Sequence, residues 1–264
     1  MQSLVESLPD LAREQGAVTA VRDRSGPSWR FLSWSELYGE VNRIVGAWAE
    51  RVERGQRLVW TAPPGTRRIC MDLALLHLGV VGAQDAPAGP AAEVIDVSTY
   101  DRLVETREQA GRLVRLVTEL RARDLAVEFR GGRLSQQGVL ELARRVATAV
   151  HLGPPDPVLV SATGPAEQSC AWGALVGGYG VVVGGPELLA ALSPKVWVCT
   201  TDQLRGLGKG AAETGRLRGG LRRVLGRNDP VLGDHLARVF VDGAVPAEAQ
   251  SLRDRGVEVH PWPA

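Results

Sequence analysis

The residues best placed to do chemistry are Arg130, Gly131, Gly132 and Arg133, which form a turn between an apolar run, Leu125 to Phe129, and a helical pattern opening at Ser135. A strand, a glycine pair and a helix N-terminus together make an anion cradle, because glycine lets backbone amides converge and the helix end is electropositive. A cradle for a nucleotide also needs hydroxyls and usually a lysine for the outer phosphates. This turn has neither, and the chain's two lysines, Lys195 and Lys209, are distant in sequence. Arg130 and Arg133 are left as cations that either meet an anion or stay solvated. Cys70, Cys170 and Cys199 are scattered among apolar residues, as expected of buried free thiols rather than disulfides or a metal site. His77, His151, His235 and His260 show no metal-ligand spacing. There is no Ser-His-Asp spacing, nucleophile elbow or carboxylate pair, so no catalytic residue is assigned.

The elements that position this turn alternate between strand and helix. Leu4 to Glu14 reads as a helix ended by Gly16, and Ala17–Val21 and Trp29–Leu32 as the two strands of a hairpin. Ser33-Trp-Ser-Glu36 has the form of a capping box for a helix expected to run to about Glu53, with Leu37, Val41, Ile44, Val45 and Trp48 on its apolar face. A strand over 56–61, a helix carrying Ile69, Leu73 and Leu76, and an apolar step at Val80-Val81 follow. Val94–Val97 reads as a strand and 100–123 as a long charged helix. After Ser135, the spacing of Val139, Leu142, Val146 and Val150 predicts a further helix. Val158–Ser161, Val181–Val183 and Val196–Cys199 are compact apolar runs, suited to adjacent strands covered on both faces. The expected fold class is therefore α/β, with mostly parallel sheets and helical crossovers.

Composition narrows the function classes. The chain has 264 residues and a formal net charge of +1, enough length for a sizeable core and no electrostatic case for nucleic acid or an anionic membrane. No leader-like or membrane-spanning run is present in the sequence, and the expected location is the cytoplasm. The Arg- and Gly-rich stretch 205–227 reads as a solvated surface segment rather than an RNA-binding one.

Several pieces, in order, resemble the amino-terminal region of the adenylate-forming enzymes, the acyl-CoA synthetase and luciferase superfamily. They are Trp29-Arg-Phe-Leu-Ser-Trp-Ser-Glu-Leu37, Gly55-Gln-Arg-Leu-Val-Trp-Thr-Ala-Pro63 and Asp72-Leu-Ala-Leu-Leu-His-Leu-Gly-Val-Val-Gly-Ala83. Two later segments, Pro194–Leu204 and Asp234–Glu248, look most like the long-chain fatty acid–CoA ligase branch. The resemblance implies a first α/β subdomain over 1–123 and a second over 124–264, the second truncated relative to the family and the small carboxy-terminal domain absent. It also implies a ligand pocket beside Gly243 and Ala244, where the family carries a Gly-Gly-Ala-Pro turn. The departures from the family matter more than the matches. Its Ser/Thr/Gly-rich phosphate loop ending in Pro-Lys-Gly should stand where Glu128–Ser135 does, and its His falls at Gly164. ATP and Mg are therefore expected to be lost as cofactors. The expected function is that of a non-catalytic relative acting as a binding or partner subunit, either a homodimer, a hetero-complex or a carrier of a small acyl or aromatic ligand. The alternative is an acyl-activating, fatty acid–CoA ligase-like enzyme with a repurposed site or one completed by another chain. Trp172 and Trp197, flanked by apolar residues, are expected in the core, and Trp262 on an apolar face open to a partner.

Overall fold

The computed structural model describes residues 4–24, 28–60, 62–83, 93–95, 120–129, 132–207 and 235–263. Most of the expected helix over 100–123 and of the Arg- and Gly-rich stretch lies outside them, and residues 120–123, where that helix was expected to end, are not helical. Helix α1, Leu4–Glu14, turns Leu4, Val5, Leu8 and Leu11 inward. Strands β1, Thr19–Asp23, and β2, Arg30–Ser33, pair antiparallel as the expected hairpin. At the start of α2, Trp34–Trp48, the Glu36 amide donates to Ser33 Oγ at 3.3 Å and the Ser33 amide to Glu36 Oε2 at 2.8 Å. Reciprocal bonds of this kind satisfy two of the donors a helix start leaves without partners. The helix stops five residues short of the expected Glu53. Residues 49–53 add only Ala49 and Val52 to the apolar face, and the chain turns through Gly55 at φ +78° to enter the next strand.

Two sheets follow from the alternation. Strands β3 (Arg57–Trp60), β4 (Val81–Ala83), β5 (Glu93–Ile95), β6 (Leu125–Phe129) and β7 (Gly132–Ser135) form one in the order β5-β3-β4-β6-β7. Helix α3, Thr66–Leu78, is its crossover from β3 to β4. Strands β8 (Pro157–Val160), β9 (Gly180–Val183), β10 (Val196–Thr200), β11 (Arg238–Asp242) and β12 (Glu258–Pro261) join the first hairpin in a seven-stranded sheet, ordered β12-β11-β10-β8-β9-β1-β2. All its pairs are parallel except β1 with β2. The three apolar runs of the sequence are β9, β8 and β10, side by side as expected. A division at residue 123/124 does not separate the sheets. The β1–β2 hairpin reaches forward into the later sheet, and β6 and β7 reach back into the earlier one.

Alternation along the strands fills both faces. Val158, Val160, Val181, Val183, Val196 and Val198 point into a core shared with Leu58, Trp60 and Val127 of the five-stranded sheet, and with α1, α2, α3, α4 (Gln136–Val150) and α5 (Pro165–Gly177). Leu159, Val182, Trp197, Cys199, Val239 and Val241 point the other way, under short helical turns carrying Leu188, Leu189, Leu204, Ala249 and Leu252. Trp172 and Trp197 are fully buried, as expected, and all three cysteines are buried and free. Trp262 corrects the expectation of an open aromatic face. It is half-buried, lies edge-on to Phe240 at 5.7 Å and donates through Nε1 to Ser169 Oγ at 3.1 Å. Among the described residues, no helix is long and apolar enough to cross a membrane.

Candidate functional site

Gly132 and Arg133 open β7, which pairs antiparallel with β6. Strands β6 and β7 pair out to Phe129 opposite Gly132, so residues 130 and 131 alone lie between them. Arg130 and Gly131 fall outside the described residues. An additional strand, β7, separates the glycines from helix α4, so Gly132 and Arg133 do not sit at a helix N-terminus. Gly132 to Ser135 pair with β6, and Ser135 then caps α4 by accepting from the Gly138 amide at 3.1 Å. Arg133 is turned along the hairpin, donating to Glu128 Oε1 at 3.3 Å, while Arg57 donates to Glu128 Oε2 at 2.8 Å. These guanidiniums, Arg57 first, hold the Glu128 carboxyl below its usual range. Lys195 is committed as well, to Asp156 at 2.6 Å.

The other site predicted by the sequence, Gly243 and Ala244, lies at the carboxyl ends of β10 and β11. The chain leaves β8 through α5 to reach β9 on one side, then returns past β8 to β10 on the other. In open α/β sheets a ligand crevice forms outside the strand ends where the order reverses in this way. Thr201 Oγ1 donates to Ala244 O at 2.7 Å, and Gly243 is at φ +113°, where a Cβ would come within 2.9 Å of that hydroxyl. A side chain here would be strained and would displace Thr201. Gln203 ties the end of β10 to the end of β8. Its Oε1 accepts from the Thr200 amide at 2.9 Å and its Nε2 donates to Ser161 O at 3.0 Å. Trp197 Nε1 donates to Ser161 Oγ at 2.8 Å. The crevice edge is thus formed by neutral hydrogen-bonding groups, with Asp242 beside them, its carboxyl pushed up by burial. The set can orient a polar ligand, but among the described residues it includes no cation for phosphates and no base aimed at a nucleophile. Ser161, Thr201 and Gln203 did not stand out in the sequence as site residues. Thr200-Thr-Asp-Gln203 is itself a capping-box spacing, and that signal was available.

A second polar cluster was not foreseen. Gly65 gives α3 no side-chain cap, and two carboxylates from the seven-stranded sheet's side take that role. Asp23, at the end of β1, accepts from the Thr66 amide at 2.5 Å, and Glu167, in the first turn of α5, accepts from the Gly65 amide at 2.8 Å. Asp72 of α3 accepts from Trp60 Nε1 at 3.1 Å. All three carboxyls are buried, Glu167 to 1% exposure. Burial pushes the Glu167 carboxyl up to about 7, against the opposing pull of Arg68, whose Nε lies 3.8 Å from Oε2. Gly164, where the resemblance aligns the family's His, precedes α5 at φ +72° and ψ −132°, a conformation that excludes an unstrained histidine.

No protein-family profile and no curated protein matches the sequence. Solved structures do. The N-terminal domain of FACL13 from Mycobacterium tuberculosis superposes with a TM-score of 0.74 at 11% identity, over 98% of this chain and 75% of that one. The Mycobacterium tuberculosis fatty acyl CoA synthetase gives 0.73 at 11% identity, over 97% of this chain and 58% of that one. The chain has the fold of an acyl-CoA synthetase N-terminal domain. VinN, solved with L-aspartate, matches this synthetase fold equally well, at 0.73 and 13% identity over 98% of this chain and 74% of that one. The expected fold and family likeness are both found. Among the described residues no group of three or more His, Cys, Asp or Glu side chains is arranged to hold a metal ion.

Proposed function

We propose that this chain is a binding protein built on the synthetase fold, which does not activate acyl groups with ATP and works by holding a partner. The observation that carries this reading is the closed β6–β7 hairpin. Two residues connect its strands, neither brings a hydroxyl or a lysine, and Arg133 is already paired with Glu128. A triphosphate is held by several charge-assisted hydrogen bonds, each worth about 1.5–3 kcal/mol, and these residues do not fit that task.

The partner favoured here is a second copy of the chain. β2 and β12 are the two edges of the seven-stranded sheet among the described residues. β12 is blunted by Pro261 and by the Glu258–His260 pair at 3.3 Å. β2 instead exposes Phe31 to 64%, and Trp29 just before it is exposed to 38%, with the Arg22 guanidinium 5.7 Å from the centre of the Trp29 ring. Pairing β2 about a two-fold axis uses one edge twice and covers both aromatics. A specific dimer should bury at least about 1,000 Å² in total. Light scattering at low micromolar concentration should give a dimer for the wild type and a monomer for Phe31→Ser. A dimer indifferent to Phe31→Ser would refute the β2 edge, and a monomeric wild type would refute self-association and leave the Gly243–Ala244 crevice, with a small acyl or aromatic ligand, as the working surface. The second reading, an acyl-activating enzyme with a repurposed site or one completed by another chain, draws on that same crevice at the strand ends.

A further inference from the structure

The connection between the two sheets runs through buried carboxyls. Asp23 and Glu167 belong to the seven-stranded sheet and its helix, yet they bond the amides of Thr66 and Gly65 at the start of a helix of the five-stranded one. Glu167 Oε1 has a donor in Gly65, whereas Oε2 is buried without a hydrogen bond and Arg68 stands off at 3.8 Å. Either protonation state leaves Oε2 without a partner, but the deficit costs more for a buried anion, which loses the solvation of a full charge, than for a neutral acid. The geometry thus favours the neutral acid. The charged groups acting on it are Arg68 and Asp72 from α3 and Asp23 from β1. Cys170, one turn further along α5, has its thiol pushed up by burial first and by Glu167 second. Arg30 of β2 and Glu40 of α2 bond each other at 3.0 Å, and Glu40 also accepts from Cys70 at 3.5 Å. Helix α4 carries Glu141, Arg144 and Arg145 at exposed positions, and on α1 Glu6 and Asp10 are half-buried while Arg13 and Glu14 are exposed. Arg67 follows Thr66 on α3 itself.

We propose that the Asp23–Glu167 grip on the first turn of α3 is a proton-operated latch between the two sheets, closed while Glu167 is neutral and loosened when it ionises beside Asp23 and Asp72. Opening exposes Glu167 to water, where its ordinary value is 4.5, whereas the closed value is about 7. Between those limits opening releases a proton, so the open fraction rises with pH, about tenfold per unit, and levels off above pH 7. His77 in the last turn of α3 is silent in an opening confined to the first turn.

Amide hydrogen exchange of the full chain, read on peptides covering residues 62–70 and 161–170 and corrected for intrinsic rate, tests the latch. From pH 4.5 to 7, wild-type protection in both peptides should fall on the order of a hundredfold and then stay level. Glu167→Gln, which keeps an acceptor for Gly65 but has no proton to lose, should show no such slope. Asp23→Asn removes a neighbouring charge and should bring the levelling-off to lower pH. Level wild-type protection, a slope that survives Glu167→Gln, or an unmoved midpoint in Asp23→Asn would each overturn the proposal. Should Glu167→Gln fail to fold, the Asp23→Asn midpoint decides.

Discussion

Glu167→Gln and His77→Asn are expected to tilt the dependence of global stability on pH in opposite directions. Full unfolding exposes both groups. Burial drives the His77 imidazole down to about 4, its Nδ1 donating to Leu73 O at 2.7 Å, so the unfolded chain takes up a proton at 6.5 that the folded chain refuses. His77 therefore contributes stability that is complete above pH 6.5 and is lost as pH falls towards 4. Glu167 has the opposite sign. Its folded value of about 7 lies above its unfolded 4.5, so the folded chain keeps a proton that the unfolded chain releases, and stability declines as pH rises from 4.5 to 7. Each slope is about 1.4 kcal/mol per pH unit at most, and between 4.5 and 6.5 they cancel. Glu167→Gln should uncover the histidine slope and lose about 3 kcal/mol on acidification across the window, and His77→Asn should gain a similar amount. Other carboxylates titrate alike in both variants, so the difference between the two urea-midpoint profiles isolates the pair. Parallel profiles would show that neither group is held as described.

Trp197→Ala is expected to be among the costliest single changes in the chain. The side chain is fully buried between β10's neighbours and the short helical turns, and its Nε1 supports Ser161 at the crevice. Removing a buried indole costs about 3–5 kcal/mol through lost transfer energy and the cavity left behind, a large share of the roughly 5–15 kcal/mol that holds a domain folded. Trp197→Phe keeps most of the volume and loses the hydrogen bond, so it should cost about 1–2 kcal/mol. Urea titration distinguishes the two. A phenylalanine variant as unstable as the alanine one would place the weight on the hydrogen bond instead of on packing.

How legible this protein was in its sequence depended on whether the signal was local. The Ser33–Glu36 capping box, the periodicity of α1 and α4, and the apolar runs of β8, β9 and β10 are local, and each element formed where it was expected. The end of α2 was not legible, because what stops it is the path into β3 rather than a helix breaker at Ala49. Sheet membership was not legible either. Nothing in Thr19–Asp23 says that it will pair with Gly180–Val183 across most of the chain. Of the candidate site, Gly243 and Ala244 were reached through likeness to a family. The inward carboxylates Asp23, Asp72 and Glu167 carry no local signal of burial, since it depends on the starts of α3 and α5 meeting. Trp262 misled for the same reason, its partner Ser169 being remote in sequence.

The central claim is that this chain keeps the synthetase fold while its β6–β7 hairpin no longer forms a phosphate cradle. Calorimetric titration of the full chain with Mg-ATP tests it most directly. The account predicts no binding heat up to millimolar nucleotide. A saturable isotherm with a dissociation constant in the micromolar range would contradict it, and would mean that Arg133 leaves Glu128 to hold the triphosphate after all.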